Sequence, residues 1–219
     1  MRRISALQAP GEAERPTRGW GASWPARRGQ VRGGARKRGD SMTDALPPRL
    51  LREAYDRSAD RYDARFAALQ AEKYDALLAR LSVDPRARVA DLGCGTGLLL
   101  ARLPRLERPP LALDFSGPML RRASAGAWRV QGDLRRLPLA SDRFDLVFSV
   151  TSLLLAPGSA RGALAEMARV LAPGGCLALT LLARDRGFGV EEALRAVGFL
   201  PGPPFSCGQD VGWICRRPP

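Results

Sequence analysis

A glycine-rich turn between an apolar strand and an apolar helix constrains the fold of this chain more than any other feature. Residues 88–92 read Arg-Val-Ala-Asp-Leu, a short apolar strand, and continue into Gly93-Cys-Gly-Thr-Gly97. Residues 98–103 are apolar apart from one arginine and end before Pro104, which predicts a helix. The order of strand, glycine turn and helix is typical of an α/β fold.

Strands and helices continue to alternate after this turn. We predict strands over residues 111–115, 128–131, 144–150 and 176–182, helices over 118–125, 161–171 and 190–197, and an edge strand over 211–215. Such alternation predicts right-handed βαβ crossovers and a doubly wound, mostly parallel sheet that is covered on both faces. Before the first strand, residues 47–81 place apolar side chains three and four residues apart, which predicts one or two helices. The predicted apolar stripe consists of Tyr62, Phe66, Leu69, Leu77, Leu78 and Leu81.

Composition removes several kinds of chemistry. The 219-residue chain contains no histidine, so it has no Ser-His or Cys-His catalytic pair and no histidine-ligated zinc. Its four cysteines lack Cys-x-x-Cys spacing, so we interpret them as buried thiols of a cytoplasmic protein and predict no metal site. The longest apolar stretches are far shorter than the ~20 residues that span a bilayer, so we expect no membrane association.

The positive charge is concentrated near the N-terminus. Residues 1–41 contain ten basic and three acidic residues, a net +7 out of the formal +13 of the chain. This segment is rich in Gly, Pro and Arg and lacks an apolar period, which predicts disorder. Met42 opens a stretch that reads like the natural beginning of a protein. We therefore interpret residues 1–41 as an extension from a mis-assigned start, with a nucleic-acid-binding arm as the alternative.

The glycine turn differs from a dinucleotide-binding fingerprint. That fingerprint needs glycine at positions 93, 95 and 98, but position 98 is leucine and the third glycine is Gly97. Asp91 stands at the entrance to the turn, where its carboxylate would repel a pyrophosphate and attract an ammonium group. Gly93 and Gly95 let a ligand lie against backbone amides. The turn therefore suits an amino-acid group better than a phosphate, and a dehydrogenase is the least favoured interpretation.

Two further acids follow the next two predicted strands. Asp114 ends the second strand, where a carboxylate can accept hydrogen bonds from both hydroxyls of a ribose. Asp133 ends the third, where it can accept from the exocyclic amine of adenine, and the backbone amide of Leu134 is available to a ring nitrogen. Phe115 and Met119 can sandwich the base. Acids at three consecutive strand ends form a far more specific pattern than the glycines alone.

Five segments of the chain share a pattern with a known family. They are Val89-Ala-Asp-Leu-Gly-Cys-Gly-Thr-Gly97, Leu113-Asp-Phe-Ser-Gly-Pro-Met-Leu120, Gly132-Asp-Leu134, Phe144-Asp-Leu-Val147 and Ala165-Glu-Met-Ala-Arg-Val-Leu-Ala-Pro-Gly-Gly175. Together they resemble the class I S-adenosylmethionine-dependent methyltransferases, in the branch that contains the ubiquinone and menaquinone C-methyltransferases and many small-molecule O- and N-methyltransferases. The resemblance covers about residues 50–219. It implies a Rossmann-like core with a seven-stranded sheet over residues 85–219 and a helical lid over residues 42–84.

The same resemblance implies S-adenosylmethionine as the cofactor. Asp91, Gly93 and Gly95 would then hold its methionine part and Asp114 its ribose. Asp133 and Leu134 would hold the adenine, and Ser149, together with Val150, would border the methyl group.

The resemblance leaves the methyl acceptor open. We expect transfer to an O, N or C atom of an unidentified small molecule by a monomer or a homodimer. If the acceptor must lose a proton, the weak candidates for a base are Tyr55, Tyr62 and Asp63, although core packing explains the tyrosines equally well. The alternatives are an RNA or protein methyltransferase that uses its basic surface, and a relative that binds the cofactor or a partner protein without catalysis.

Overall fold

The chain forms one sheet with helices on both faces. The computed structural model describes residues 47–123, 126–153, 159–183 and 189–219. The elements are α1 (Pro48–Leu78), β1 (Val89–Leu92), β2 (Leu111–Asp114), α2 (Gly117–Arg122), β3 (Trp128–Gln131), β4 (Phe144–Val150), α3 (Ser159–Val170), β5 (Leu171–Leu182), α4 (Val190–Ala196), β6 (Leu200–Pro201), β7 (Phe205–Cys207) and β8 (Asp210–Arg216). The predicted extension over residues 1–41 lies outside the described residues.

The sheet reverses its strand order between β1 and β4. The order is β3-β2-β1-β4-β5-β8-β6, and β7 also pairs with β8. Strands β1 to β5 are parallel, whereas β8 runs antiparallel to β5. The predicted doubly wound, mostly parallel sheet is confirmed, with the short β7 as an addition to the seven strands of the main order. Ligands of such sheets bind beyond the C-terminal strand ends at the reversal point.

Alternating strand side chains give the sheet a core on each face. Leu146 of β4 packs on the face that carries Leu77 of α1. The next residue, Val147, packs on the opposite face with Met167 of α3. All four side chains are fully buried. The C-terminal part of α1 is therefore an integral part of the core.

Helix α1 buries polar as well as apolar side chains. It is one continuous helix of 31 residues. The predicted apolar stripe is confirmed at Leu77 but wrong at Leu69, which is 37% exposed. Gln70 and Lys73 are buried instead, and both have hydrogen-bond partners inside the fold. Such partners offset the cost of burying polar groups, and hydrophobic periodicity does not register them.

The prediction of a helix directly after the glycine turn is wrong. Only a three-residue 3-10 helix, Leu100–Arg102, forms there. Leu103 is already extended, since a residue before proline is disfavoured in the helical conformation. The strand predicted over residues 211–215 is found as β8, but it does not lie at the edge of the sheet, because it pairs with β5 and also with β6 and β7. Strand β5 begins at Leu171, earlier than predicted.

Candidate active site

One cavity lies beyond the C-terminal ends of β1, β2 and β4. Its volume is about 250 Å³, close to the lower limit of roughly 300 Å³ for small-molecule sites. The predicted site residues that line it are Tyr55, Tyr62, Gly93, Gly95, Asp114, Phe115, Met119, Asp133 and Leu134. Asp63, Asp91 and Ser149 are not among its lining residues. The fold thus gathers most of the predicted site in one place.

Left-handed glycines shape the turn after β1. The φ angle is +83° at Gly93 and +54° at Gly95, which glycine adopts without steric cost. The Gly95 N–H donates to Asp114 Oδ2 at 2.8 Å, and the Ser116 N–H donates to Asp114 Oδ1 at 2.9 Å. Burial raises the pKa of Asp114, although these backbone hydrogen bonds act in the opposite direction. The turn and the end of β2 are therefore fixed to each other through one carboxylate in the cavity wall.

Asp91 lies behind the glycine turn and is only 2% exposed. Burial, and then repulsion by Asp114, raises its pKa to about 8. Tyr74 and Cys94 are also coupled to it: burial raises the pKa of each, and the Asp91 charge adds to the effect. Because a nearby positive charge lowers the pKa of a carboxyl group, an arriving ammonium group would favour the ionised form of Asp91.

Two short hydrogen bonds fasten α1 to the loops around the cavity. The Thr96 hydroxyl donates to Asp63 Oδ1 at 2.5 Å, and the Ser116 hydroxyl donates to Asp56 Oδ1 at 2.5 Å. Asp63, a predicted weak candidate for the base, is thus engaged with the glycine turn. These bonds hold the N-terminal half of α1 beside the cavity. The division into a lid over residues 42–84 and a core over residues 85–219 stays a prediction.

Two tyrosines of α1 form an aromatic wall of the cavity. The Tyr55 ring centroid lies 5.7 Å from that of Phe115, edge to face, and 6.4 Å from that of Tyr62. Burial, followed by the charges of Tyr62 and Asp114, raises the pKa of Tyr55 to about 12. Burial also raises the pKa of Tyr62, against the effect of a hydrogen bond from Gln70. Both hydroxyls are therefore protonated at neutral pH and unsuited to act as bases.

Asp133 lies at the exposed rim of the cavity. Its side chain is 47% exposed, and Arg135 binds it with Nη2 at 2.6 Å from Oδ2. The Arg135 N–H also donates to Asp133 Oδ1 at 2.9 Å. The hydrogen-bonded Arg135 side chain lowers the pKa of Asp133. An adenine amine at this position would share the carboxylate with a guanidinium.

The turn at the end of β4, which we call the β4 turn (Val150–Leu153), contains the predicted cavity residue Val150. It adds three cavity residues that sequence reasoning missed, Thr151, Ser152 and Leu153. Thr151 has a φ of +51°, which is unusual for a β-branched residue. The hydroxyl oxygens of Ser149 and Ser152 are 2.6 Å apart. Ser149 is buried beneath the turn, whereas Ser152 lines the cavity. A Cβ atom on Gly93 would lie 2.2 Å from Ser152 Cβ, so the glycine turn and the β4 turn are in close contact.

A buried ion pair supports the β4 turn. Lys73 Nζ lies 3.0 Å from Asp210 Oδ1 and donates to Thr151 Oγ1 at 2.8 Å. The Thr151 and Thr180 hydroxyls donate to Asp210 Oδ2 at 2.5 and 2.7 Å. Lys73 belongs to α1 and Asp210 to β8, so no local sequence motif predicts that the two side chains form an ion pair. The one available signal is that Lys73 is one of only two lysines in a chain with 35 basic residues.

Comparisons with known proteins agree with this geometry. Residues 89–175 match the family described as methyltransferase domain. A malonyl-[acyl-carrier protein] O-methyltransferase of Enterobacter lignolyticus is 38% identical over 162 residues, which cover 71% of this chain and 64% of that protein. The predicted resemblance to the class I S-adenosylmethionine-dependent methyltransferases is confirmed by these matches. The chain spans less than two thirds of the length of the first curated relatives that it matches.

Solved structures show the same methyltransferase fold. The methyltransferase complex with the Trm112 activator from Haloferax volcanii contains a chain that matches with a TM-score of 0.67 and 20% identity, over 75% of this chain and 98% of that one. The [4+2]-cyclase SpnF matches with a TM-score of 0.58 and 19% identity, over 66% and 80% of the two chains. The Rossmann-like prediction is thereby confirmed. The likeness to the quinone methyltransferase branch stays a prediction.

The residues around the cavity fit S-adenosylmethionine, the cofactor that the family resemblance implies. A Cβ atom on Gly95 would meet nothing within 4 Å, so the turn is open on its ligand side. The carboxylates of Asp91 and Asp114 can accept hydrogen bonds from an ammonium group and from ribose hydroxyls. Across the described ranges, no three His, Cys, Asp or Glu side chains are grouped as a metal site requires. Every described helix is too short or too polar to traverse a bilayer.

Proposed function

We propose that this protein transfers the methyl group of S-adenosylmethionine to a carboxylate oxygen of a small acyl substrate. The observation that carries the proposal is the state of the proton acceptors around the cavity. Tyr55 has its pKa raised to about 12, and that of Tyr62 is also raised. Asp63 accepts from Thr96, and the chain has no histidine. A carboxylate is ionised at neutral pH and needs no general base, whereas a hydroxyl or a carbon acid does.

The cofactor would lie along the C-terminal ends of β1, β2 and β3. Asp91 would balance its ammonium group from behind the turn formed by Gly93 and Gly95. The backbone N–H groups of Gly95 and Ser116 hold the Asp114 carboxylate in place. This carboxylate would accept hydrogen bonds from the ribose hydroxyls. The adenine would lie between Phe115 and Met119, with Asp133 and Leu134 at its polar edge. When bound, S-adenosylmethionine supplies an activated methyl group, so the chain contributes mainly alignment of donor and acceptor.

The acceptor would enter between the aromatic wall and the β4 turn. Tyr55 and Tyr62 line one side, and Thr151, Ser152 and Leu153 line another. The guanidinium of Arg135 lies at the same rim, where a positive charge favours the approach of an anion. Methyl transfer to a carboxylate yields an ester and S-adenosylhomocysteine and releases no proton. The names of the curated relatives, which specify O-methylation of a malonyl group on an acyl-carrier protein, support an acyl carboxylate as the acceptor.

The first test is isothermal titration of S-adenosylhomocysteine into the full chain. We expect micromolar binding that is lost in Asp114→Ala, because that change removes the acceptor for the ribose and leaves two backbone amides without a partner. Asp133→Ala, the matched acid-to-alanine change at the exposed rim, is expected to weaken binding only a few-fold. A folded chain that binds no S-adenosylhomocysteine would contradict the cofactor assignment and support a non-catalytic relative that acts by other contacts.

The second test compares acceptors at saturating cofactor. Malonyl thioesters are offered beside catechols, amines and RNA, and the methylated product is identified by mass spectrometry. We expect transfer to the malonyl carboxylate, with a rate that changes little between about pH 6 and pH 9 because no proton is removed. Transfer to a phenol with a rate that rises with pH would contradict the carboxylate proposal. Methylated RNA or protein would favour the macromolecular alternative.

A further inference from the structure

The backbone of the β4 turn has a conformation that its own residues disfavour. Thr151 is one of two residues other than glycine with a positive φ among the described residues, and the only β-branched one. Left-handed backbone is costly for a side chain that branches at Cβ and persists only where the surroundings impose it. The turn lies in the cavity wall, between the proposed sites of cofactor and acceptor. Whatever holds Thr151 therefore also shapes that wall.

The contacts of Thr151 identify what holds it. Its N–H donates to the Thr180 carbonyl at 3.1 Å and meets the Thr180 hydroxyl at 3.1 Å. Its own hydroxyl accepts from Lys73 and donates to Asp210. Both functions of the hydroxyl are thus directed away from the cavity and into the buried ion pair. Lys73 and Asp210 are 6% and 1% exposed, so solvent screens their interaction very little.

We propose that the buried Lys73–Asp210 pair is a positioning device that keeps Thr151 in the left-handed conformation and thereby presses the β4 turn against Gly93. Neither charged side chain lines the cavity, so both act through Thr151 rather than on a ligand. The close approach of Ser152 to Gly93 transmits the position of the turn to the glycine turn. The part of the inference that concerns the acceptor rests on the proposed function, whereas the backbone conformation and the affinity for S-adenosylhomocysteine do not depend on the acceptor.

The first experiment contrasts two substitutions of Thr151 in the full chain. Thr151→Val keeps the shape and the β-branch but removes the hydroxyl, so the left-handed conformation loses its anchor. Thr151→Gly also removes the hydroxyl but adopts a positive φ freely. We expect the valine variant to bind S-adenosylhomocysteine about tenfold more weakly and the glycine variant to stay within about threefold of the wild type. Equal losses in both variants would overturn the proposal.

The second experiment removes the ion pair itself. Lys73→Met alone leaves a buried carboxylate without its counter-charge, so the matched variant is Lys73→Met with Asp210→Leu, which removes both charges. In a folded double variant we expect the backbone amide at 151 to exchange with solvent about tenfold faster, with weaker S-adenosylhomocysteine binding. Adding Thr151→Gly is expected to restore the binding. A purely structural role predicts no such rescue, because glycine at 151 adds only flexibility.

The two experiments separate failure of this inference from failure of the proposed function. A wild-type chain that binds no S-adenosylhomocysteine would contradict the cofactor assignment, but amide exchange at Thr151 would still report on the ion pair. Wild-type exchange and affinity in the folded double variant would overturn the positioning role. If the double variant does not fold, the contrast between valine and glycine at Thr151 still decides the question.

Discussion

The glycine turn and the β4 turn touch each other in the cavity wall, yet they reach similar backbone conformations by different means. The glycine turn uses Gly93 and Gly95, for which positive φ has no steric cost. The β4 turn uses Thr151 and needs Lys73 and Asp210 to hold it. The first turn is encoded within a few neighbouring residues, whereas the second depends on groups 78 and 59 positions away. A sequence can therefore reveal the glycine turn, which a local motif encodes. It cannot reveal the support of the β4 turn, because those residues meet only in the folded chain.

The largest expected effect removes the support of the β4 turn. Lys73→Met leaves the buried Asp210 carboxylate without its counter-charge. We expect it to lower the free energy of unfolding by about 3–5 kcal/mol. Urea denaturation of the full chain measures the change. Arg86→Met, which breaks the exposed pair with Glu107, is the matched control and is expected to cost under about 1 kcal/mol. Similar losses in both variants would mean that burial of the pair adds nothing.

The next effect breaks the contact between the two turns. Gly93→Ala places a Cβ atom 2.2 Å from Ser152 Cβ at a positive φ, and we expect a loss of about 2–4 kcal/mol in the free energy of unfolding. Gly174→Ala is the control, because its φ of +76° is similar but a Cβ there meets nothing within 4 Å. The control is expected to cost only about 1–2 kcal/mol. Equal costs would show that the turns do not press on each other.

A smaller effect concerns pH and the acid behind the glycine turn. The folded-state pKa of Asp91 is raised to about 8 from an ordinary value of 3.8, so ionisation opposes folding. Its contribution is absent below about pH 4, and stability falls by up to about 1.4 kcal/mol per pH unit as the pH rises toward 8. Asp91→Asn removes this dependence. We expect the difference in unfolding free energy between variant and wild type to grow from pH 6 to pH 8.

Measurement of the Asp91 effect uses denaturant curves of both proteins at matched pH values. A constant difference between them would place the folded-state pKa of Asp91 below about 6. In the same variant, S-adenosylhomocysteine binding is expected to weaken, because the neutral amide cannot balance an ammonium group. An Asp91→Asn variant that is more stable but binds S-adenosylhomocysteine more weakly would show that Asp91 serves ligand binding rather than stability.

The smallest effect is expected at the rim. Asp133→Ala removes an exposed carboxylate that is already paired with Arg135, so S-adenosylhomocysteine affinity should fall only a few-fold. Calorimetric titration beside Asp114→Ala measures the contrast. Equal losses in the two variants would place Asp133 in direct and dominant contact with the cofactor.

The sequence predicted those parts of the fold and site that local patterns encode. Short runs of apolar residues predict the strands that lead to Asp91, Asp114 and Asp133, and the glycines predict the turn. The helix after the turn was wrong because Pro104 leaves room for a single 3-10 turn. The stripe on α1 was wrong at Leu69 because hydrophobic periodicity takes no account of buried polar partners. Sequence motifs could not reveal the Lys73 network, since it joins three elements that meet only in the folded chain.

The length of α1 has a practical consequence. A single helix carries Tyr55 and Tyr62 in the cavity wall and, further along, Leu77 in the core. A ligand that contacts the tyrosines therefore stabilises an element on which the rest of the fold depends. Mass action then raises the unfolding free energy by about 2.7 kcal/mol at a ligand concentration of 100 times Kd. Thermal melting can accordingly screen candidate acceptors, in the presence of S-adenosylhomocysteine, before any methylated product has been detected.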